Sequence, residues 1–170
     1  MTGILQGREI LIGATGGIAV YKTAMLVSRL VQSGAGVSVV MTEAATKLVA
    51  PKTFEALSGR HVRIDMFAEP GHPHIEAARA AELFCIAPAT ANLLAKAAHG
   101  LADDLLTATL LSFDGPILLA PAMNCTMWAK PVVQRNVLQL REDDFLFVGP
   151  DEGRLSCGEV GEGRMSSPES

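Results

Sequence analysis

Five short apolar runs, each closing on glycine, alanine or threonine, constrain this chain more than any other feature. They are "REILIGA" (Arg8 to Ala14), "VSVVMT" (Val37 to Thr42), "LFCIAPA" (Leu83 to Ala89), "PILLAPA" (Pro116 to Ala122) and "FLFVG" (Phe145 to Gly149). Nearly continuous hydrophobic runs of this length suit strands covered on both faces, the condition that parallel sheets impose. The intervening stretches read as helices. Ile18, Tyr21, Met25, Val27 and Leu30 recur at roughly helical spacing, and Gly34 supplies a stop. "ATANLLAKAAHGLADDLLTATLL" is rich in Ala and Leu, and Gly100 breaks it into two helices. Strands alternating with helices predict an open, doubly wound α/β sheet, mostly parallel, of five or six strands.

Composition narrows the class of partner. With 170 residues the chain makes one domain, 1–170, and its 49% hydrophobic content is enough for a well-buried core. A net charge of -4 leaves no electrostatic footprint for nucleic acid, so a small-molecule partner is expected. No apolar run reaches the roughly 20 residues of a membrane helix. "MTGILQGRE" is too early interrupted for a secretory signal, which predicts a cytoplasmic protein. Cys85, Cys125 and Cys157 have no paired spacing, so neither a disulfide framework nor a zinc site is indicated.

In a doubly wound sheet, ligands bind outside the carboxyl ends of the strands, and four segments there carry unusual residues. "GATGG" (Gly13 to Gly17) is either a phosphate-approaching turn at a helix N-terminus or a tight turn without a ligand. Its spacing is not that of a dinucleotide fingerprint, and with Thr42 at the second strand end a mononucleotide such as FMN fits at least as well. Thr90 and Asn92 are helix caps or cofactor contacts. In "PAMNCTMW", Met123, Met127 and Trp128 read as core filler or as a site floor, whereas a buried Asn124 needs a hydrogen-bond partner that a ligand carboxylate can supply. In "GHPHIEAAR", His74 stands at the head of a helix as a structural or a chemical histidine, with His72 the alternative. The last stretch, 151–170, shows neither helical nor strand periodicity and reads as a mobile flap or tail. It carries Cys157 beside Arg154 and Arg164, as a reactive thiol or an incidental one, whereas Cys85 in an apolar strand reads as inert.

Taken in order, "GATGGIAVYK", "HIEAAR", "PATANLLAKAAHGLADDLL", "PAMNCTMW" and "SCGEVGEGRM" resemble the flavin-containing cysteine decarboxylases, most closely the phosphopantothenoylcysteine branch of coenzyme A biosynthesis. The resemblance runs from about Arg8 to Met165. It implies a Rossmann-like three-layer α/β/α sandwich that binds FMN at a subunit interface and assembles as homotrimers or as dodecamers of trimers. It implies flavin contacts at Gly13, Ala14, Thr15, Thr42, the turn Ala89, Thr90, Ala91 and Asn92, and Ala122. His74 and Cys157 become the catalytic residues, with Asn124, Met127, Arg154, Leu155 and Ser156 around the substrate. The implied substrate is phosphopantothenoylcysteine: its thiol is oxidised, CO₂ leaves, and the electrons return with a proton from Cys157. The usual bacterial form carries a ligase domain as well, so the chain is expected to be a free-standing decarboxylase or an isolated domain. Three rival readings stay open. A peptidyl-cysteine decarboxylase shares the asparagine motif but has no need of the flap cysteine, a flavin prenyltransferase has no use for either feature, and a non-catalytic regulatory flavoprotein would be expected to lose His74, Asn124 or Cys157.

Overall fold

In the computed structural model the described residues are 3–68 and 70–170. Strands β1 (Glu9–Ala14), β2 (Gly36–Met41), β3 (Leu83–Ala89), β4 (Ile117–Pro121) and β5 (Leu146–Phe147) form one sheet in the order β2-β1-β3-β4-β5. Every pair in it is parallel. After β2 the chain crosses to the far side of β1, so the strand order reverses between β1 and β3 and leaves a crevice at their carboxyl ends.

The pleat explains the three layers. Along β1, Ile10 and Ile12 face a core shared with Val20 and Val27 of α1 (Val20–Gln32) and Phe54 of α3 (Pro51–Ser58). Leu11, between them, faces the opposite core. That second core joins α4 (Pro73–Arg79), α5 (Ala91–Ala98), α6 (Leu105–Ser112) and α8 (Pro131–Glu142), with Trp128 at its edge. Two single-turn helices, α2 (Glu43–Thr46) and α7 (Cys125–Trp128), follow β2 and β4. Gly100, at φ +65°, separates α5 from α6 as expected. Among the described residues no helix is long and apolar enough to cross a membrane.

The helix after β1 has a definite inward face, and one expectation, for 151–170, needs correction. The inward face of α1 is Val20, Thr23 and Val27, whereas Ile18, Tyr21 and Met25 stand exposed on the other side. A buried threonine is tolerated in that face because the Thr23 hydroxyl donates to the Ala87 carbonyl at 2.6 Å. Residues in the 151–170 stretch, read as aperiodic, form an antiparallel hairpin of β6 (Asp151–Arg154) and β7 (Val160–Arg164). Glycines and charged residues hid it, since a strand that lies on other backbone rather than on a core shows no apolar alternation. Its base is pinned: Met165 and Ser166 are buried, Lys22 Nζ donates to the Met165 carbonyl at 2.6 Å, and Ser166 Oγ donates to Asp151 Oδ1 at 2.6 Å.

Cys85 lies in β3 under the α1 layer, where burial pushes its thiol pKa up to about 12. Cys157 is exposed and Cys125 half-buried. In the folded protein at pH 8 a thiol-disulfide reagent should therefore modify Cys157 and Cys125, with Cys85 reacting only after denaturant is added. Equally rapid modification of Cys85 in the native protein would show that β3 opens far more readily than its packing allows.

Candidate active site

A cavity of about 900 Å³ opens at the carboxyl ends of the strands, between the turns that follow β1, β2, β3 and β4 and the hairpin. Its first wall is the β1–α1 turn. Thr15 is buried and its hydroxyl donates to the Pro88 carbonyl at 2.5 Å, tying this turn to the end of β3. The glycines follow from how closely the turns meet. A Cβ on Gly16 would stand 2.5 Å from Ala44 Cβ, and one on Gly17 would stand 3.2 Å from both Pro88 Cγ and Thr90 Cγ2. Helix α1 then starts without a side-chain cap, with Gly17, Ile18 and Ala19 on the cavity wall and the Val20 and Lys22 N–H groups taken by the Gly17 and Ala19 carbonyls.

Thr42 and Thr90 turn out to be caps and cavity residues at once. The Thr42 oxygen accepts from the Ala45 N–H at 3.2 Å at the head of α2, and the Thr90 oxygen accepts from the Leu93 N–H at 3.3 Å at the head of α5. Capping uses the acceptor oxygen, which leaves each hydroxyl hydrogen for a ligand. Ala91, Asn92 and Ala122 also line the cavity. Gly13, Ala14 and Ala89, expected at the cofactor, are strand residues behind the wall. Gly13 is enclosed by Phe84, Ile86 and Leu106, and Ala14 and Ala89 are fully buried.

The β4–α7 turn supplies a fixed donor. Asn124 caps α7, its Oδ1 accepting from the Thr126 N–H at 2.8 Å. The amide therefore has one orientation, with both Nδ2 hydrogens turned away from the helix. Nδ2 donates to Glu159 Oε2 and lies 3.4 Å from Cys157 Sγ. Met123 and Met127 line the cavity beside it, while Trp128 belongs to the core. The motif is thus part site and part scaffold. The hairpin closes the opposite side with Arg154, Leu155, Ser156 and Cys157, the residues that sequence placed there.

Several wall residues escaped the sequence reading. Lys96 is held by Asp103 at 2.6 Å and Asp104 at 3.0 Å, and those partners, Asp103 first, raise its pKa. Asp104 also forms a capping box with Thr107 at the head of α6. An acid three residues before a threonine is the local signal that could have found that cap. Lys22 left no such signal, and neither did Glu159, which lies off the wall and reaches Asn124 from the rim. Lys22 is brought onto the wall by the packing of α1 against the hairpin base, where burial and then Arg164 lower its pKa.

His74 is not on this cavity. It sits in the first turn of α4, whose Ala77 packs into the second core, with its ring 6.1 Å from that of His72. Its Nδ1 is buried without a hydrogen-bond partner among the described residues.

Comparison with known proteins places this architecture. The coenzyme A biosynthesis bifunctional protein CoaBC of Bacillus subtilis (strain 168) is 49% identical over 98% of this chain, and the chain spans 42% of that protein's length. Among solved structures, the FMN-dependent cysteine decarboxylase SpaF is 40% identical, with a TM-score of 0.83 over 94% of this chain and 92% of that one. A cysteine-to-serine mutant of PPC decarboxylase, complexed with pantothenoylaminoethenethiol, is 31% identical, with a TM-score of 0.84 over 96% of this chain and 93% of that one. The family model described as Flavoprotein matches residues 2–170, and with the whole described sheet and cavity inside that match, this chain belongs to the flavoprotein family.

Proposed function

We propose that this chain is an FMN-dependent decarboxylase that converts 4'-phospho-N-pantothenoylcysteine to 4'-phosphopantetheine in coenzyme A biosynthesis. The observation that carries the reading is the Asn124 amide, locked by its own helix cap so that its donors face the cavity beside the Cys157 thiol. The relatives named above support the substrate class, and the cavity fits the cofactor. Its volume of about 900 Å³ holds a cofactor and a small substrate together, the Gly16 and Gly17 cradle admits a close approach to the backbone of the β1–α1 turn, and the Thr42 and Thr90 hydroxyls can donate to a flavin edge.

FMN, when bound, supplies the two-electron exchange with the substrate thiol that makes loss of CO₂ feasible. The chain's residues do the rest. Asn124 holds the substrate carboxylate with its Nδ2 hydrogens, and Met127 gives that carboxylate an apolar neighbour, which favours the neutral CO₂ over the charged ground state. Lys22, Arg154 and Arg164 line the cavity and favour the phosphate. Cys157 offers its S–H from the hairpin as the proton for the enethiolate carbon. The thiol also separates this reading from that of a peptidyl-cysteine decarboxylase, which can stop at the enethiol.

We assign His74 to the site through assembly. Ile18 and Tyr21 are exposed at the cavity, Met25 is exposed one turn further along α1, and His74 lies away from its own chain's cavity. A homo-oligomer, a trimer or a dodecamer of trimers, covers these side chains and brings the partner's His74 to the cavity. The substrate carries a phosphate and a carboxylate and does not cross a bilayer unaided, which suits a cytoplasmic enzyme.

Mixing the FMN-loaded protein with phosphopantothenoylcysteine should release CO₂ and form 4'-phosphopantetheine, and absence of both products would refute the reading. Asn124→Asp should keep the fold and the flavin, because aspartate also caps a helix, and should lose roughly 10²- to 10⁴-fold in turnover through like-charge repulsion. Unchanged turnover would remove Asn124 from the substrate. Cys157→Ser should still decarboxylate once and then stall, because a hydroxyl is far less acidic than a thiol. Mass spectrometry should show a product lighter than 4'-phosphopantetheine by two hydrogens, stoichiometric with enzyme. Full conversion by this variant would assign the proton to another donor, with Cys125 the next residue to change.

A further inference from the structure

Glu159 has no part in the reaction as derived, yet it holds the group on which the reaction depends. It closes the hairpin tip, where the Leu155 N–H donates to the Glu159 carbonyl at 2.8 Å and the Gly158 N–H donates to the Leu155 carbonyl at 2.9 Å. Its side chain turns back toward α7. One carboxylate oxygen, Oε2, accepts from Asn124 Nδ2 and lies 3.5 Å from Cys125 Sγ and 3.6 Å from Cys157 Sγ. These donors, Asn124 first and then Cys125 and Cys157, hold its pKa below the usual carboxylate value, so it is anionic at neutral pH. Glu159 is not among the cavity-lining residues and reaches Asn124 from the rim.

We infer that Glu159 is an internal occupant of the seat on Asn124 that the substrate carboxylate takes, displaced when substrate binds and restored when CO₂ has left. The inference rests on the decarboxylase reading above. Its physical basis is the arithmetic of the amide. Oδ1 is committed to the Thr126 N–H, so Asn124 has only its Nδ2 hydrogens to give, and they face Glu159 and Cys157. A second carboxylate arriving at the same nitrogen meets a fixed negative charge at hydrogen-bond range, and the two cannot share it at neutral pH. Glu159 is exposed and sits at a turn, so it can swing out while the backbone bonds of the hairpin tip stay in place. The product has no carboxylate, so it can occupy the cavity with Glu159 back on Asn124. The competition therefore acts on substrate alone: it weakens ground-state binding of the carboxylate and leaves product affinity untouched.

A pair of unreactive ligands tests this: the S-methyl thioether of phosphopantothenoylcysteine, with its carboxylate and a blocked sulfur, and S-methyl 4'-phosphopantetheine, which lacks the carboxylate. Their Kd values would be measured by calorimetry on the FMN-loaded wild type, Glu159→Ala and Glu159→Gln. Removing the competing charge should tighten the first ligand about five-fold in Glu159→Ala and less in Glu159→Gln, with the second ligand unchanged in both. An unchanged ratio of the two Kd values overturns the inference, whether both stay constant or both shift together as a loosened hairpin would make them. Weaker binding of the carboxylate ligand overturns it as well. Turnover of the natural substrate by the wild type keeps the two levels apart: CO₂ release with an unmoved ratio removes the role of Glu159 alone, whereas no CO₂ release removes the decarboxylase reading and this inference with it.

Discussion

Where β7 crosses the β4–α7 turn, the Met123 N–H donates to the Gly163 carbonyl at 2.9 Å, and the two backbones lie so close that a Cβ on Gly163 would stand 2.3 Å from the Met123 carbonyl oxygen. Gly163 also has φ +145°, which a side chain would strain. The site depends on this crossing. It fixes the hairpin base one residue from Asn124, so that the tip, with Cys157 and Glu159, arches over the amide. Gly161 makes a second close approach, with a Cβ there meeting Cys125 Cβ at 2.9 Å. The hairpin buries little apolar surface of its own, so backbone contact at glycines, rather than hydrophobic packing, holds the cysteine near the asparagine.

A similar economy operates at the end of β3. Its ladder with β1 runs to Gly13 and Ile86, and its register with β4 shifts between Ile86 and Ala89. The carbonyls of Ala87 and Pro88 lie in that irregular stretch, where a buried acceptor without a donor is costly. Thr23 from α1 and Thr15 from the β1–α1 turn donate to them at 2.6 and 2.5 Å. These two hydroxyls fasten the glycine turn and the first helix to the strand end. The crevice produced by the strand-order reversal thus becomes a walled cavity.

Strands β1 to β4 and the division at Gly100 were legible because each depends on local pattern: a run covered on both faces stays apolar throughout, and a glycine at positive φ marks a stop; β5, two residues with Leu146 exposed, is only the middle of its apolar run. The spacing of Ile18, Tyr21, Met25, Val27 and Leu30 showed a helix but not its inward face, which includes Thr23, held by a hydrogen bond in place of apolar contact. β6 and β7 were missed because nothing in "DEGR" or "VGEGR" alternates between apolar and polar. Thr42, Thr90, Asn124 and Cys157 were found at the cavity, since strand-end turns are where such a sheet offers a ligand site. Gly13, Ala14 and Ala89, which the resemblance assigned to the cofactor, close β1 and β3 where their apolar runs end and stand behind the residues that line the cavity.

What the sequence determined by itself was the inventory: strands suited to a parallel sheet, glycine turns after them, and an asparagine and a cysteine set in short specific motifs. All of these follow from interactions within a few residues, where side-chain type and spacing decide the outcome. Tertiary structure alone decided which members of the inventory meet. That Asn124 faces Cys157, 33 positions away, follows from the crossing at Gly163 and from a helix cap that uses the amide oxygen. That His74 lies off its own chain's cavity follows from where α4 packs, on the opposite face of the sheet from α1. That Glu159 rests on Asn124 follows from the turn of the hairpin tip, a long-range closure whose partners no local pattern names.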